Sequence, residues 1–106
     1  MSEHTGELVS VKIIPNDKGS PPGKLADAEV IFEADAGPLH GLTLVGFAIW
    51  ERRNGGKHVT FPARPYSVSG GRRNFLLLRS SNGARDAQEP LRQCILDAYS
   101  RLETHA

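Results

Sequence analysis

The sequence predicts an α+β fold, an antiparallel β-sheet of about four to five strands with one C-terminal helix. Three observations predict it. β-Branched and alternating apolar segments occupy most of residues 8–79, cut apart by clusters of Gly, Pro, Asn and Ser. The dipeptide Asn54-Gly55 stands between two of these segments and is a strong short-range hairpin signal. Only beyond residue 87 does the apolar spacing change to the period of a helix.

Taken in order, residues 1–7 (MSEHTGE) are polar and read as a flexible tail, not as a secretory signal. Residues 8–14 (LVSVKII) have the character of a first strand. Residues 15–23 (PNDKGSPPG) hold three prolines and two glycines, which forbid a regular element. From Ala28 the chain alternates, with Ala28, Val30, Phe32 and Ala34 on one face and Asp27, Glu29, Glu33 and Asp35 on the other. Residues 35–41 (DAGPLHG) read as a turn.

Residues 42–53 put Leu44, Ala48 and Trp50 on one face and Val45, Phe47 and Ile49 on the other, so both faces call for burial. The Asn54-Gly55-Gly56 turn returns the chain through residues 58–62 (HVTFP), with Val59 and Phe61 on one face. Pro62 and Pro65 then stop the strand, and Ser69-Gly70-Gly71 turns the chain into residues 74–79 (NFLLLR), a strand apolar on both faces. The helix spans about 87–103, with Leu91, Ile95, Ala98 and Leu102 on one stripe and Cys94 and Tyr99 beside it. Asp86 or a neighbour can cap it, and Pro90 is best tolerated in its first turn.

At 106 residues, 39% hydrophobic and 24% charged, the chain has the composition of one globular domain, expected over residues 8–103. No segment approaches the roughly 20 apolar residues of a membrane span, which makes a cytoplasmic protein the expectation. The one cysteine, Cys94, has no partner for an internal disulfide and falls on the helix stripe, where a buried, inert thiol is expected. One helix does not cover both sides of a sheet that is apolar on both sides. A second copy of the chain is expected to do so, as a sheet-paired or strand-exchanged homodimer, unless the long Pro/Gly loops fold over instead.

A catalytic reading finds little footing. His4, His40, His58 and His105 are scattered, without metal-ligand spacing, so neither a metal nor another cofactor is expected. Glu29 and Glu33 lie on the polar face of a strand, where paired carboxylates solvate the surface and have no route to general-acid work. The glycine pairs Gly55-Gly56 and Gly70-Gly71 are turn formers, not phosphate loops.

The charge distribution says more. Residues 1–40 carry three lysines against seven acids, whereas residues 41–106 carry ten Lys/Arg against five acids. Between Arg52 and Arg85 there are eight basic residues, seven of them Arg, and no Asp or Glu. Aromatic residues interleave with them at Phe61, Tyr66 and Phe75. The guanidinium fork meets phosphate bidentately and stacks on bases, so the run points to an anionic partner, DNA or RNA. The candidate contacts are Arg52, Arg53, Lys57, Arg64, Arg72, Arg73 and, on the helix, Arg92. Charges at hairpin tips also keep edges soluble, and a non-catalytic module docking an acidic protein partner is the alternative.

Several segments resemble a known family. Ala28-x-Val30-x-Phe32 is followed by Gly46-Phe47-Ala48-Ile49-Trp50-Glu51 and Arg53-Asn54-Gly55, then by Val59-Thr60-Phe61-Pro62-Ala63-Arg64 and Ile95-Leu96-Asp97-Ala98-Tyr99. In that order they are similar to the stage V sporulation protein G (SpoVG, septation regulator) family, over about residues 8–102. Residues 74–79 stand where that family has Asp-Ile-x-x-Pro-Ile. The resemblance implies an antiparallel sheet with a C-terminal helix, a homodimer and regulatory binding to DNA or RNA. It carries Arg53 and Arg64 over as contacts.

Overall fold

The computed structural model describes residues 8–84 and 86–105, so the polar tail 1–7 and Arg85 lie outside the described residues. The elements are β1 (Val9–Pro15), β2 (Lys24–Phe32), a 3₁₀ segment (Ala34–Leu39), β3 (Thr43–Glu51), β4 (Lys57–Thr60), β5 (Ala63–Val68), β6 (Gly71–Leu76) and α1 (Glu89–His105). They form the expected α+β arrangement, with every strand pair antiparallel. The strands fall into two sheets, a four-stranded body in the order β1-β2-β3-β4 and a separate two-stranded ribbon, β5-β6.

The body is built on one buried face. Ala26, Ala28 and Val30 of β2 meet Phe47 and Ile49 of β3, and Val59, Phe61 and Ile95 complete the core. α1 lies across this face and touches both edge strands, β1 and β4. Its stripe is the expected one, with Ile95 and Ala98 buried and Leu91 packed against the core, although Leu102 at the far end is exposed. The helix begins two residues later than its apolar spacing suggests. The Glu89 N–H donates to the Asp86 carbonyl at 3.1 Å, and Pro90 sits in the first turn, where a missing N–H costs nothing. Cys94 is half-buried and free.

Strict alternation fails in β3, and the reason is a bulge. Val30 pairs with Leu44 and Ala28 with Phe47, so Val45 and Gly46 together oppose Glu29. The extra residue moves Leu44 to the same face as Phe47 and Ile49, not to that of Ala48 and Trp50, and leaves Val45 exposed. Gly46 takes φ +109°, and a Cβ there would stand 3.0 Å from Pro62 Cβ. Only glycine fits both the backbone and the approach.

The register also changes the case for a second chain. Phe47 and Ile49 share the helix-covered face and are 1% and 0% exposed, so one helix does cover them. The opposite face is screened by its own polar groups: Trp50 Nε1 donates to Thr60 Oγ1 at 3.0 Å, and Lys24 Nζ pairs with Asp27 at 2.7 Å. Among the described residues, the exposed large apolar side chains divide between the ribbon and its base, at Tyr66, Val68, Phe75, Leu76 and Leu77, and the body, at Leu8, Ile14, Leu39, Leu42, Val45 and Leu102.

Pro62 and Pro65 do not end extended structure as their residue type suggests. Leu77 N–H donates to the Pro62 carbonyl at 3.0 Å, and hydrogen-bonded pairs therefore recur at every second residue, at 64, 66 and 68. Pro65, opposite Asn74, falls between them, at a position whose amide points out of the ribbon and needs no partner. The second strand accordingly runs Gly71–Leu76 and stops short of Leu77-Leu78-Arg79.

Candidate nucleic-acid interface

The ribbon is an arm fixed at its base and free along its length. Phe61 packs edge-on against Phe47 with ring centroids 5.1 Å apart, and Pro62 is buried against Gly46. Just beyond the return strand Leu78 packs against the core, and its carbonyl accepts from Gln88 Nε2 at 3.1 Å. Between these anchors every residue of β5 and β6 is exposed. The tip is Ser69-Gly70, with Gly70 at φ +83°.

Pairing sorts the arm into two unlike faces. Arg64 is opposite Phe75, Tyr66 opposite Arg73, and Val68 opposite Gly71. Because directly opposed residues share a face and successive pairs alternate, these pairs stand together on one side. That side is a checkerboard of two arginines and two aromatics, each arginine facing an aromatic across the strands. Tyr66 is 42% and Phe75 46% exposed. The other side carries Ala63 with Leu76, Pro65 with Asn74, and Ser67 with Arg72.

Arg64, Arg72 and Arg73 make no ion pair with any of the described residues. With no acid between residues 52 and 85, their charge is not offset along the chain. Guanidinium groups stay protonated throughout the physiological range, so the arm is a fixed cationic surface.

The remaining candidates lie elsewhere. Arg52 and Arg53 sit exposed in the β3–β4 turn, where the Arg52 N–H donates to the Gly56 carbonyl at 2.7 Å and the Arg52 carbonyl accepts from Gly55 N–H at 3.0 Å. Lys57 begins β4 opposite Glu51 and carries its Nζ 5.9 Å from the Tyr99 ring centroid. These three belong to the body sheet, while Arg64, Arg72 and Arg73 belong to the ribbon. The register gathers Arg64 and Arg73 with aromatics, not with the other basic turn. Arg92 is committed within the fold: it pairs with Glu89 and lies 5.3 Å over the Phe61 ring.

Two members of the interleaved segment turn inward. Phe61 is core, and His58 is half-buried, with its Nδ1 lacking a hydrogen-bond partner among the described residues. One residue joins the site that charge counting left out. The Arg79 guanidinium stands 4.7 Å from the Phe75 centroid, which brings a further cation to the aromatic side of the arm. Its place in the acid-free run was visible, but its position over Phe75 depends on the chain leaving β6 at Leu76.

Among the described residues no group of three or more His, Cys, Asp or Glu could hold a metal ion, and no helix is long and apolar enough to cross a membrane. No protein-family model, curated protein or solved structure matches this chain.

Proposed function

We propose that the protein is a non-catalytic nucleic-acid-binding regulator of the cytoplasm, akin to the septation-regulator family that it resembles, and that the arm is its main contact with DNA or RNA. The observation that carries this reading is the arm itself: a fully exposed ribbon whose arginines stand opposite aromatics, in a stretch without a single acid. A ribbon buried in its own chain would need no such surface. Cationic side chains facing solvent without partners are the groups that displace counterions from phosphate, and this makes binding fall steeply with salt. Arg52, Arg53 and Lys57 supply a secondary basic edge on the body, and Arg92 contributes through packing more than contact.

A homodimer is part of the proposal. The exposed Leu76, on the side of the arm away from the aromatics, and Leu77 just beyond it are apolar surface that a second copy would cover, and the body sheet offers the free edge of β1. Sedimentation at micromolar concentration should show a dimer. A monomer at every concentration would remove that part.

The test of the main reading is titration of the protein into labelled DNA and RNA oligonucleotides at several salt concentrations. Binding that weakens by orders of magnitude as salt rises is the expected result. Absence of binding at low salt, with capture of an acidic polypeptide instead, would overturn it in favour of a protein-docking module.

A further inference from the structure

We infer that the aromatic side of the arm takes an unpaired strand of nucleic acid, two successive bases stacking at Tyr66 and Phe75 while Arg64 and Arg73 hold the adjoining phosphates. This rests on the nucleic-acid reading above and adds which form of nucleic acid the site selects.

The register makes the case. Tyr66 pairs with Arg73 and Phe75 pairs with Arg64, so the two aromatics are diagonal neighbours on one face of an antiparallel ribbon. Such neighbours lie about 7 to 8 Å apart. Successive bases on one strand of a duplex are separated by about 3.4 Å in a closed stack. Rings at the diagonal spacing of the arm do not fit between bases of an intact helix, nor do they meet two base faces from outside it. A single strand has its base faces free and its backbone extensible, so one base can rest on each ring. The cations are placed to match. Each arginine is directly across from an aromatic, so a phosphate beside a stacked base lies within reach of a guanidinium. At Phe75 the incoming base meets a ring already accompanied by the Arg79 guanidinium at 4.7 Å, and that planar cation is itself a stacking surface.

Exposure supports the same point. A ribbon that only followed the phosphates of a duplex would be served by arginines alone. Here Tyr66 and Phe75 are roughly half exposed, on strands where every neighbour faces solvent as well. The Tyr66 ring is available without any rearrangement of the body, Phe75 offers the ring surface that Arg79 leaves uncovered, and a base laid on each would remove apolar surface from water.

The test is fluorescence anisotropy with the full chain and three labelled probes at one salt concentration: a short oligothymidylate, a short oligouridylate and a mixed-sequence duplex of equal length. At least one single strand should bind about tenfold or more tightly than the duplex, and the two single-stranded probes distinguish DNA from RNA. Tyr66→Leu and Phe75→Leu should each weaken single-strand binding about tenfold, the scale of one base–aromatic stack, while duplex binding through the arginines changes less than about twofold. Tyr66→Trp should retain affinity, and its added emission should be quenched by the bound single strand. Leucine keeps the strand apolar, and an unchanged circular dichroism melt verifies the fold. A duplex bound as tightly as the single strands, or leucine variants that bind single strands like wild type, would overturn the stacking site while leaving the nucleic-acid reading intact. If no probe binds, both fall together.

Discussion

The body sheet and the arm are made of strands of comparable length and overlapping apolar content, and they meet opposite fates. In β2 and β3, Ala26, Ala28, Val30, Phe47 and Ile49 are closed off by α1 to 1% exposure or less. In β5 and β6, Tyr66, Val68, Phe75 and Leu76 all stay above 40% exposed. Both regions obey the strand's alternation of faces, so alternation alone does not set burial. The decisive difference is attachment. β2 and β3 have neighbours on both sides and a helix above, whereas the arm is held at its base, by Pro62 against Gly46 and by Leu78 against the core. Apolar residues in the first setting stabilise the fold. In the second they stay open to solvent.

The largest effect should come from breaking the body. Phe47→Ala removes a ring that is 1% exposed and in edge contact with Phe61, so it should cost about 3 to 5 kcal/mol. That is a large part of the roughly 5 to 15 kcal/mol typical of a domain's whole stability. Phe75→Ala, which leaves no cavity, should change stability by less than about 1 kcal/mol. Urea denaturation followed by circular dichroism compares them directly, and equal costs would mean that the arm is packed like the body.

Next in size is the joint between the regions. Gly46→Ala forces a side chain into φ +109° and against Pro62 Cβ, and should cost roughly 1 to 3 kcal/mol. Since Pro62 is where the arm starts, this variant should also weaken nucleic-acid binding although residue 46 carries no charge. Loss of stability with unaltered affinity would separate the joint from the arm's function.

The smallest effect concerns the body's own chemistry. Burial, then the Glu103 and Glu51 carboxylates, holds the Tyr99 hydroxyl protonated above its ordinary value of 10.0. With the folded pKa raised, the stabilisation is complete below pH 10 and is lost as pH rises through the higher folded value. Tyr99→Phe should therefore flatten a modest decline in stability above pH 10 and leave neutral-pH stability and nucleic-acid binding nearly unchanged. A steeper alkaline decline in the variant would contradict the assigned direction.

Much of the body was legible in the sequence because its signals are local. The Asn54-Gly55 turn, the β-branched run of β1 and the Ile95 and Ala98 stripe each need only a few neighbouring residues to be read. The bulge at Val45-Gly46 was not legible, since one extra residue is visible only against the partner strand, although a glycine inside a strand pattern is a fair warning of it. β5 was missed because Pro62 and Pro65 read as breakers until the ribbon's hydrogen bonds show that Pro65 needs no amide partner and that Pro62, just before the strand, joins it through its carbonyl. For the site, the acid-free run located the arm's charge, but pairing Arg64 with Phe75 and Arg73 with Tyr66 required a register that no single strand contains. Charge counting likewise gave Arg92 the same weight as Arg64, because it does not see the Glu89 carboxylate and Phe61 ring that occupy Arg92.

The most direct measurement is the salt dependence of single-strand binding by the triple variant Arg64→Ala, Arg72→Ala, Arg73→Ala, set against wild type. Each phosphate contact contributes about 0.7 to the slope of log affinity against log salt on a single strand, so the slope should become shallower by about 1.4 for Arg64 and Arg73 on the aromatic side, and by about 2 where Arg72 on the other side meets a phosphate as well. Affinity at low salt should fall as well, with the circular dichroism melt unchanged because all three side chains are exposed. A variant that melts like wild type and keeps both its affinity and its salt slope would contradict the assignment of the arm as the nucleic-acid contact.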